Sequence, residues 1–170
     1  SVAVRLGQEM GINRIIATAE KMGIKSPLDD TPSLALGSSD VQLLELTNAY
    51  CTVANNGMHH DPVILSKIVD KDGKTVYENN TEAEQVIPYK SAFLMQQLLL
   101  GGTHEPGGTS QSLLAAEYAG GARDTYFGGK TGTSNNHSDA WFEGVSPNLV
   151  VGAWVGGEYR CIHFRYGKMG

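Results

Sequence analysis

The sequence predicts an α+β fold, with helices gathered in its first two-thirds and an antiparallel sheet at its end. Three observations predict it. Apolar residues recur at helical spacing from residue 13 to 22, again after Ser39, and again after Pro88. Two short apolar runs flank an Asp72-Gly73 turn, as in a hairpin. After Tyr126 the chain turns to apolar runs joined by short polar links. At 170 residues it is long enough for one domain with its own core, or for a large piece of one.

Taken in order, Ile15, Ile16, Ala19 and Met22 share one face of a short helix that Gly23 stops. Ser26-Pro27 and Thr31-Pro32 punctuate a loop. Ser39 is placed to cap a stronger helix, with Gln42 able to reach back to it. Val41, Leu44, Leu46, Ala49, Tyr50 and Val53 form its buried side, and Asn56-Gly57 ends it. Alternation from Pro62 to Val69 predicts a strand that returns through Thr75-Val76-Tyr77. Pro88 opens a helix carrying Phe93, Leu94, Gln97 and Leu98 as far as Gly101-Gly102. His104 to Gly108 reads as a flexible connector leading to a short helix near Leu113 to Tyr118. Segments 127–134, 139–145 and 149–156 then form a meander.

Composition removes several classes of function. Basic residues number 13 against 18 acidic ones, spread rather than blocked, so there is no nucleic-acid footprint and no polybasic membrane patch. No apolar run approaches the roughly 20 residues of a membrane helix. Cys51 and Cys161 are far apart and read as buried free thiols. The five histidines lack metal-ligand spacing and read as surface residues; no cofactor is expected. Asn79-Asn80-Thr81 and Asn136-His137-Ser138 fit the glycosylation pattern. Trp141 and Trp154 read as sheet packing.

The chemistry concentrates in Gly128-Gly129-Lys130-Thr131-Gly132-Thr133. A phosphate loop would need a glycine five residues before Gly129, where Asp124 stands, and a helix after it, where a Trp-Phe strand follows. Two readings remain on the residues alone. One is an edge strand whose glycines mark a bulge. The other is the wall of an acyl-transfer site, offering a cation, two hydroxyls and accessible backbone N–H groups.

Longer stretches resemble a known family. Asp139-Ala140-Trp141-Phe142-Glu143-Gly144 with Leu149 to Gly156, Pro32 to Gly37, Leu43 to Tyr50 and Ala54 to His59 resemble the transpeptidase domain of penicillin-binding proteins, of the bifunctional class A kind. The resemblance implies a partial penicillin-binding-protein/β-lactamase-like fold. It also implies an enzyme whose serine attacks the D-Ala-D-Ala amide of peptidoglycan stem peptides and forms an acyl-enzyme. A neighbouring amine resolves that intermediate into a crosslink, and β-lactam antibiotics acylate the same serine. The family pattern is Ser-x-x-Lys, Ser-x-Asn, then Lys-Thr/Ser-Gly.

Carried over, Lys130 would polarise the Ser-x-Asn hydroxyl and help hold the substrate carboxylate. Thr131 and Thr133 would donate hydroxyls to that carboxylate, and Gly132 would let substrate backbone approach. The Thr133 N–H would be half of the oxyanion hole, worth roughly 3–4 kcal/mol of barrier. No serine here has a lysine three residues later. Ser134-Asn135-Asn136 and Ser146-Pro147-Asn148 match Ser-x-Asn only formally, follow the third motif, and read as turns. With Ser1 as the first residue and Gly170 as the last, the expectation is that residues 1–170 are the C-terminal portion of one transpeptidase domain, inactive alone. An exposed sheet edge, or a neighbouring chain covering it, is expected, as is an extracytoplasmic location with membrane anchoring through the N-terminal part. The alternatives are a serine β-lactamase or β-lactam sensor of the same fold, or a non-catalytic binding module.

Overall fold

The computed structural model describes residues 1–114 and 126–163. Four helices precede a three-stranded sheet among the described residues: α1 (Val2–Met10), α2 (Ile12–Lys21), α3 (Leu43–Ala54) and α4 (Tyr89–His104). Two small strand pairs lie between α3 and α4. β1 (Met58–His59) pairs with β4 (Glu84–Gln85), and β2 (Lys67–Val69) pairs with β3 (Thr75–Glu78). The sheet is β5 (Gly128–Thr133), β6 (Asp139–Val145) and β7 (Val150–Gly156), antiparallel in sequence order. This is the α+β layout that the sequence predicts.

Helix α1 was not among the predicted elements. Its Ser1 hydroxyl accepts the Val4 N–H at 3.4 Å, and Gly11 at φ 90° ends it. Its apolar residues Val2, Leu6 and Met10 share a face but stay exposed, so no buried stripe announced it. α2 forms where expected.

The start of α3 corrects the capping-box reading. Ser39 exchanges hydrogen bonds with Asp29 instead, and the helix begins four residues later. Glu45, in the first turn, does the anchoring. Its carboxylate accepts from the Ser26 hydroxyl at 2.7 Å and from the Ser26 and Lys25 N–H groups. The Ser26 hydroxyl is the chief reason its pKa is lowered. Ala49, Thr52 and Val53 are the buried residues of α3, whereas Leu44 faces outward.

The hairpin is shorter than the alternation suggested. Pairing begins only at Lys67, opposite Glu78, and Ile64 is 94% exposed, with no partner strand among the described residues. Its turn is built by the Asp70 carboxylate, which accepts the N–H groups of Asp72 and Lys74 at 2.9 Å each.

Helix α4 runs through both glycines to His104. It buries Ala92, Leu99 and Thr103 rather than Phe93, Leu94 and Leu98, which are exposed. A 3₁₀ turn at Gln111–Leu114 occupies the start of the short helix expected there; the remainder lies outside the described residues. Both cysteines are free, and both are exposed rather than buried. His59 departs from the surface reading, since its Nδ1 lies 3.0 Å from the buried Thr52 hydroxyl.

The core is where α3, α4 and the sheet meet. Val53, Leu99 and Val145 are buried together, with Met22, Tyr50 and Ile87 around them. α4 lies against β5 so closely that glycine is required there: a Cβ on Gly128 would sit 2.6 Å from the Leu100 nitrogen. Backbone cannot yield as a side-chain tip can. Gly128→Ala is therefore expected to destabilise the chain by about 1–3 kcal/mol in urea denaturation. An unchanged midpoint would mean that α4 and β5 are not in this contact.

Candidate active site

Strand β5 carries Lys130-Thr131-Gly132-Thr133 and stands at the end of the sheet, bonded to β6 on one side. An edge strand keeps half its backbone N–H and C=O groups unpaired. The register sets what surrounds each side chain. Lys130 is opposite Glu143 and Gly132 opposite Trp141, while Thr131 is opposite Phe142 and Thr133 opposite Ala140. Side chains alternate between faces. Lys130 thus shares a face with Glu143 and Trp141, and the two threonines project from the other.

The lysine face is the one on which α3 and α4 pack. Lys130 is exposed, and its Nζ donates to the Thr131 carbonyl at 2.5 Å. Glu143, its partner in register, is only 2% exposed. It does not pair with the lysine. Its Oε1 accepts the Thr47 hydroxyl of α3 at 3.1 Å, and its Oε2 has no partner among the described residues. Gly152 on β7 makes the room, because a Cβ there would collide with the Thr47 hydroxyl and lie within 3 Å of both Glu143 oxygens. Burial without a full set of donors pushes the Glu143 pKa up to about 7. Burial first, and then the Glu143 charge, also raise Tyr50 on the facing helix.

At the far end of this face, the Trp141 and Trp154 indole N–H groups both donate to Asp139 Oδ2, at 3.3 and 3.1 Å. Burial alone would raise the Asp139 pKa. Hydrogen bonds from Ser134, Trp154 and Trp141 outweigh it, and the net shift is downward. The tryptophans therefore pack and also anchor a carboxylate.

On the other face, Thr131 Oγ1 lies 2.8 Å from Thr109 Oγ1. A cavity of about 190 Å³ opens beside the pair, walled by Ser110, Leu113, Phe142 and Val155. The connector carrying Thr109 is tied down rather than free. Gly108 N–H donates to Glu105 O, and Ser110 N–H donates to Gly102 O, both at 3.0 Å. The Thr103 hydroxyl, fully buried, donates to Phe127 O at 2.7 Å, just before β5.

Both formal Ser-x-Asn matches are turns. Ser134 accepts the Asp139 N–H at 3.1 Å, and Ser146 N–H donates to Leu149 O at 2.8 Å. Each serine is occupied by the link between neighbouring strands. Thr109 and Glu143 were not among the predicted site residues. A carboxylate inside an apolar Trp-Phe strand was the available signal for Glu143; nothing local marked Thr109.

A family model described as the penicillin binding protein transpeptidase domain matches residues 2–153. The chain belongs to that family. Penicillin-binding protein 2D of Bacillus subtilis is 34% identical over 162 residues, covering 91% of this chain and 22% of that protein. Penicillin-binding protein 1A of Aquifex aeolicus is 35% identical over 156 residues, covering 92% of this chain and 20% of that protein. Among solved structures, penicillin-binding protein 1A from Haemophilus influenzae superposes with a TM-score of 0.84 at 25% identity, covering 98% of this chain and 30% of that one. This penicillin-binding-protein transpeptidase chain spans about a fifth of the length of the curated relatives it matches.

The raised Glu143 pKa has a definite sign. The folded state holds the proton more tightly than the unfolded chain does, so this contribution is complete below about pH 4.5 and is lost as pH rises through about 7. Its size is on the order of 3 kcal/mol. Urea midpoints measured from pH 4.5 to 8 should fall across that window, and Glu143→Gln should flatten the fall. Parallel profiles for the two chains would contradict the assignment.

Proposed function

We propose that this chain is the C-terminal portion of the transpeptidase domain of a class A penicillin-binding protein, and that it supplies the substrate wall of a peptidoglycan D,D-transpeptidase. One observation carries the proposal: a family member presents its glycine-framed Lys130-Thr131-Gly132-Thr133 on the strand that forms the sheet edge among the described residues. In this reading the nucleophilic serine comes from sequence outside the chain. Its Oγ bonds to the penultimate D-Ala carbonyl carbon, the C–N bond to the terminal D-Ala breaks, and that residue leaves with the serine proton. An acceptor amine then attacks the ester, forms the crosslinking amide and returns the serine.

Lys130 lies on the α3/α4 face, where its ammonium polarises the Ser-x-Asn hydroxyl and attracts the terminal carboxylate. It spends its bond on a backbone carbonyl, and its neighbour Glu143 is turned to Thr47, so no carboxylate of the sheet competes for it. Thr131 and Thr133 donate hydroxyls to the substrate carboxylate, and Gly132 gives the substrate backbone access to the edge. The Thr133 N–H supports the oxyanion. β-Lactams acylate the same serine. The protein acts on the outer face of the bacterial membrane, anchored through a part outside this chain.

Labelling with a fluorescent penicillin tests this. A longer form carrying all three motifs should form a serine adduct, and residues 1–170 alone should form none. In the longer form, Lys130→Ala should slow acylation on the order of a hundredfold. Labelling of the short chain, or normal acylation without Lys130, would overturn the assigned roles.

A further inference from the structure

The connector between α4 and β5 places one more hydroxyl at the substrate wall. Thr109 Oγ1 is 2.8 Å from Thr131 Oγ1, and its position is held from both sides. The next residue, Ser110, is 1% exposed and donates its N–H to Gly102 O on α4. α4 in turn is bonded to the start of β5 through Thr103 and Phe127 O. The Thr109–Thr131 contact thus joins a connector that is itself bonded to α4, which is bonded to the start of β5.

A hydroxyl has one proton to donate and lone pairs to accept with. If Thr131 spends its proton on Thr109, it has none for an anion. If Thr109 donates to Thr131, the Thr131 proton is released toward a ligand, and the donated bond polarises it further. Thr131 is β-branched, so its side chain has few staggered positions and the partner at Thr109 selects among them.

We propose that Thr109 is a positioning residue for carboxylate recognition: it donates to Thr131, and Thr131 donates to the substrate's terminal carboxylate. This rests on the transpeptidase reading above. The specificity that it adds is for an anionic, rather than an esterified or amidated, end of the stem peptide or β-lactam.

The experiment uses the full-length protein containing this chain, with benzylpenicillin and its methyl ester as paired probes. Acylation rates are followed against probe concentration to separate binding from the chemical step. Thr109→Val, which keeps the shape and removes the hydroxyl, should weaken benzylpenicillin binding about five- to tenfold, as expected for a hydrogen bond to a charged group. The ester should react as with the unaltered protein. Thr109→Ser should restore free-acid binding, and Thr109→Val added to Thr131→Val should cost little more. Equal losses on acid and ester would assign Thr109 a structural role and overturn the proposal, as would unchanged acid binding. Failure of benzylpenicillin to acylate the unaltered protein would overturn the transpeptidase reading itself, a separate outcome.

Discussion

The close approach of α4 to β5 is the constraint on which the site depends. β5 is an edge strand, bonded to β6 along one side. Edge strands twist and fray unless something holds the back of the strand. Here that support is backbone against backbone, at Gly128 beside Leu99 and Leu100 and at Gly102 beside Gly129 O. The buried Thr103 hydroxyl bonded to Phe127 O fixes the register of that contact. Side chains at these positions would move the strand outward and take Lys130 and the threonines with it. The glycines Gly128 and Gly102 therefore serve the contact of the helix with the strand.

The same compactness explains the unusual electrostatics behind the strand. With Gly152 leaving space on β7, Glu143 lies under α3 and bonds Thr47, its second oxygen unpartnered among the described residues. A buried carboxyl in this state prefers its proton. Turned to Thr47, it does not draw the Lys130 ammonium away from the edge, although the two residues are partners in register. Asp139, on the same strand and face, has the opposite fate because two indoles and Ser134 bond it. Two carboxyls on one strand are thus shifted in opposite directions, Glu143 upward by burial and Asp139 downward because its hydrogen bonds outweigh burial.

The sheet was readable from sequence because its apolar runs and polar links are local: the links at 134–138 and 146–149 bracket β6, and all three strands fall within a residue or two of their expected limits. The Lys-Thr-Gly-Thr segment was likewise legible, as were the two serine turns. What escaped depended on partners distant in sequence. Ser39 does not cap α3 because Asp29, ten residues earlier, takes its hydroxyl. Pro62 to Ser66 alternates like a strand, yet lacks a partner to pair with among the described residues. The burial of Glu143 is set by Thr47, 96 residues away, and no window over the Trp-Phe strand contains that information. Thr109, just beyond the connector read at His104 to Gly108, drew no attention because its contact with Thr131 spans 22 residues.

An edge strand also resolves a geometric difficulty in the proposed chemistry. Lys130 and Thr131 project to opposite faces, so no ligand lying flat on one face could touch both. A ligand aligned along the edge can. It meets the ammonium from one side, the hydroxyls from the other, and unpaired backbone groups between them. That arrangement suits a peptide terminus, which is extended, carries its own N–H and C=O groups, and ends in an anion. It also requires the attacking group to arrive from beyond the edge, since α3 and α4 fill one face and Phe142 and Ala153 carpet the other. The nucleophile and the wall are then contributed by separate parts of the protein, and the register of β5 against α4 decides whether they meet.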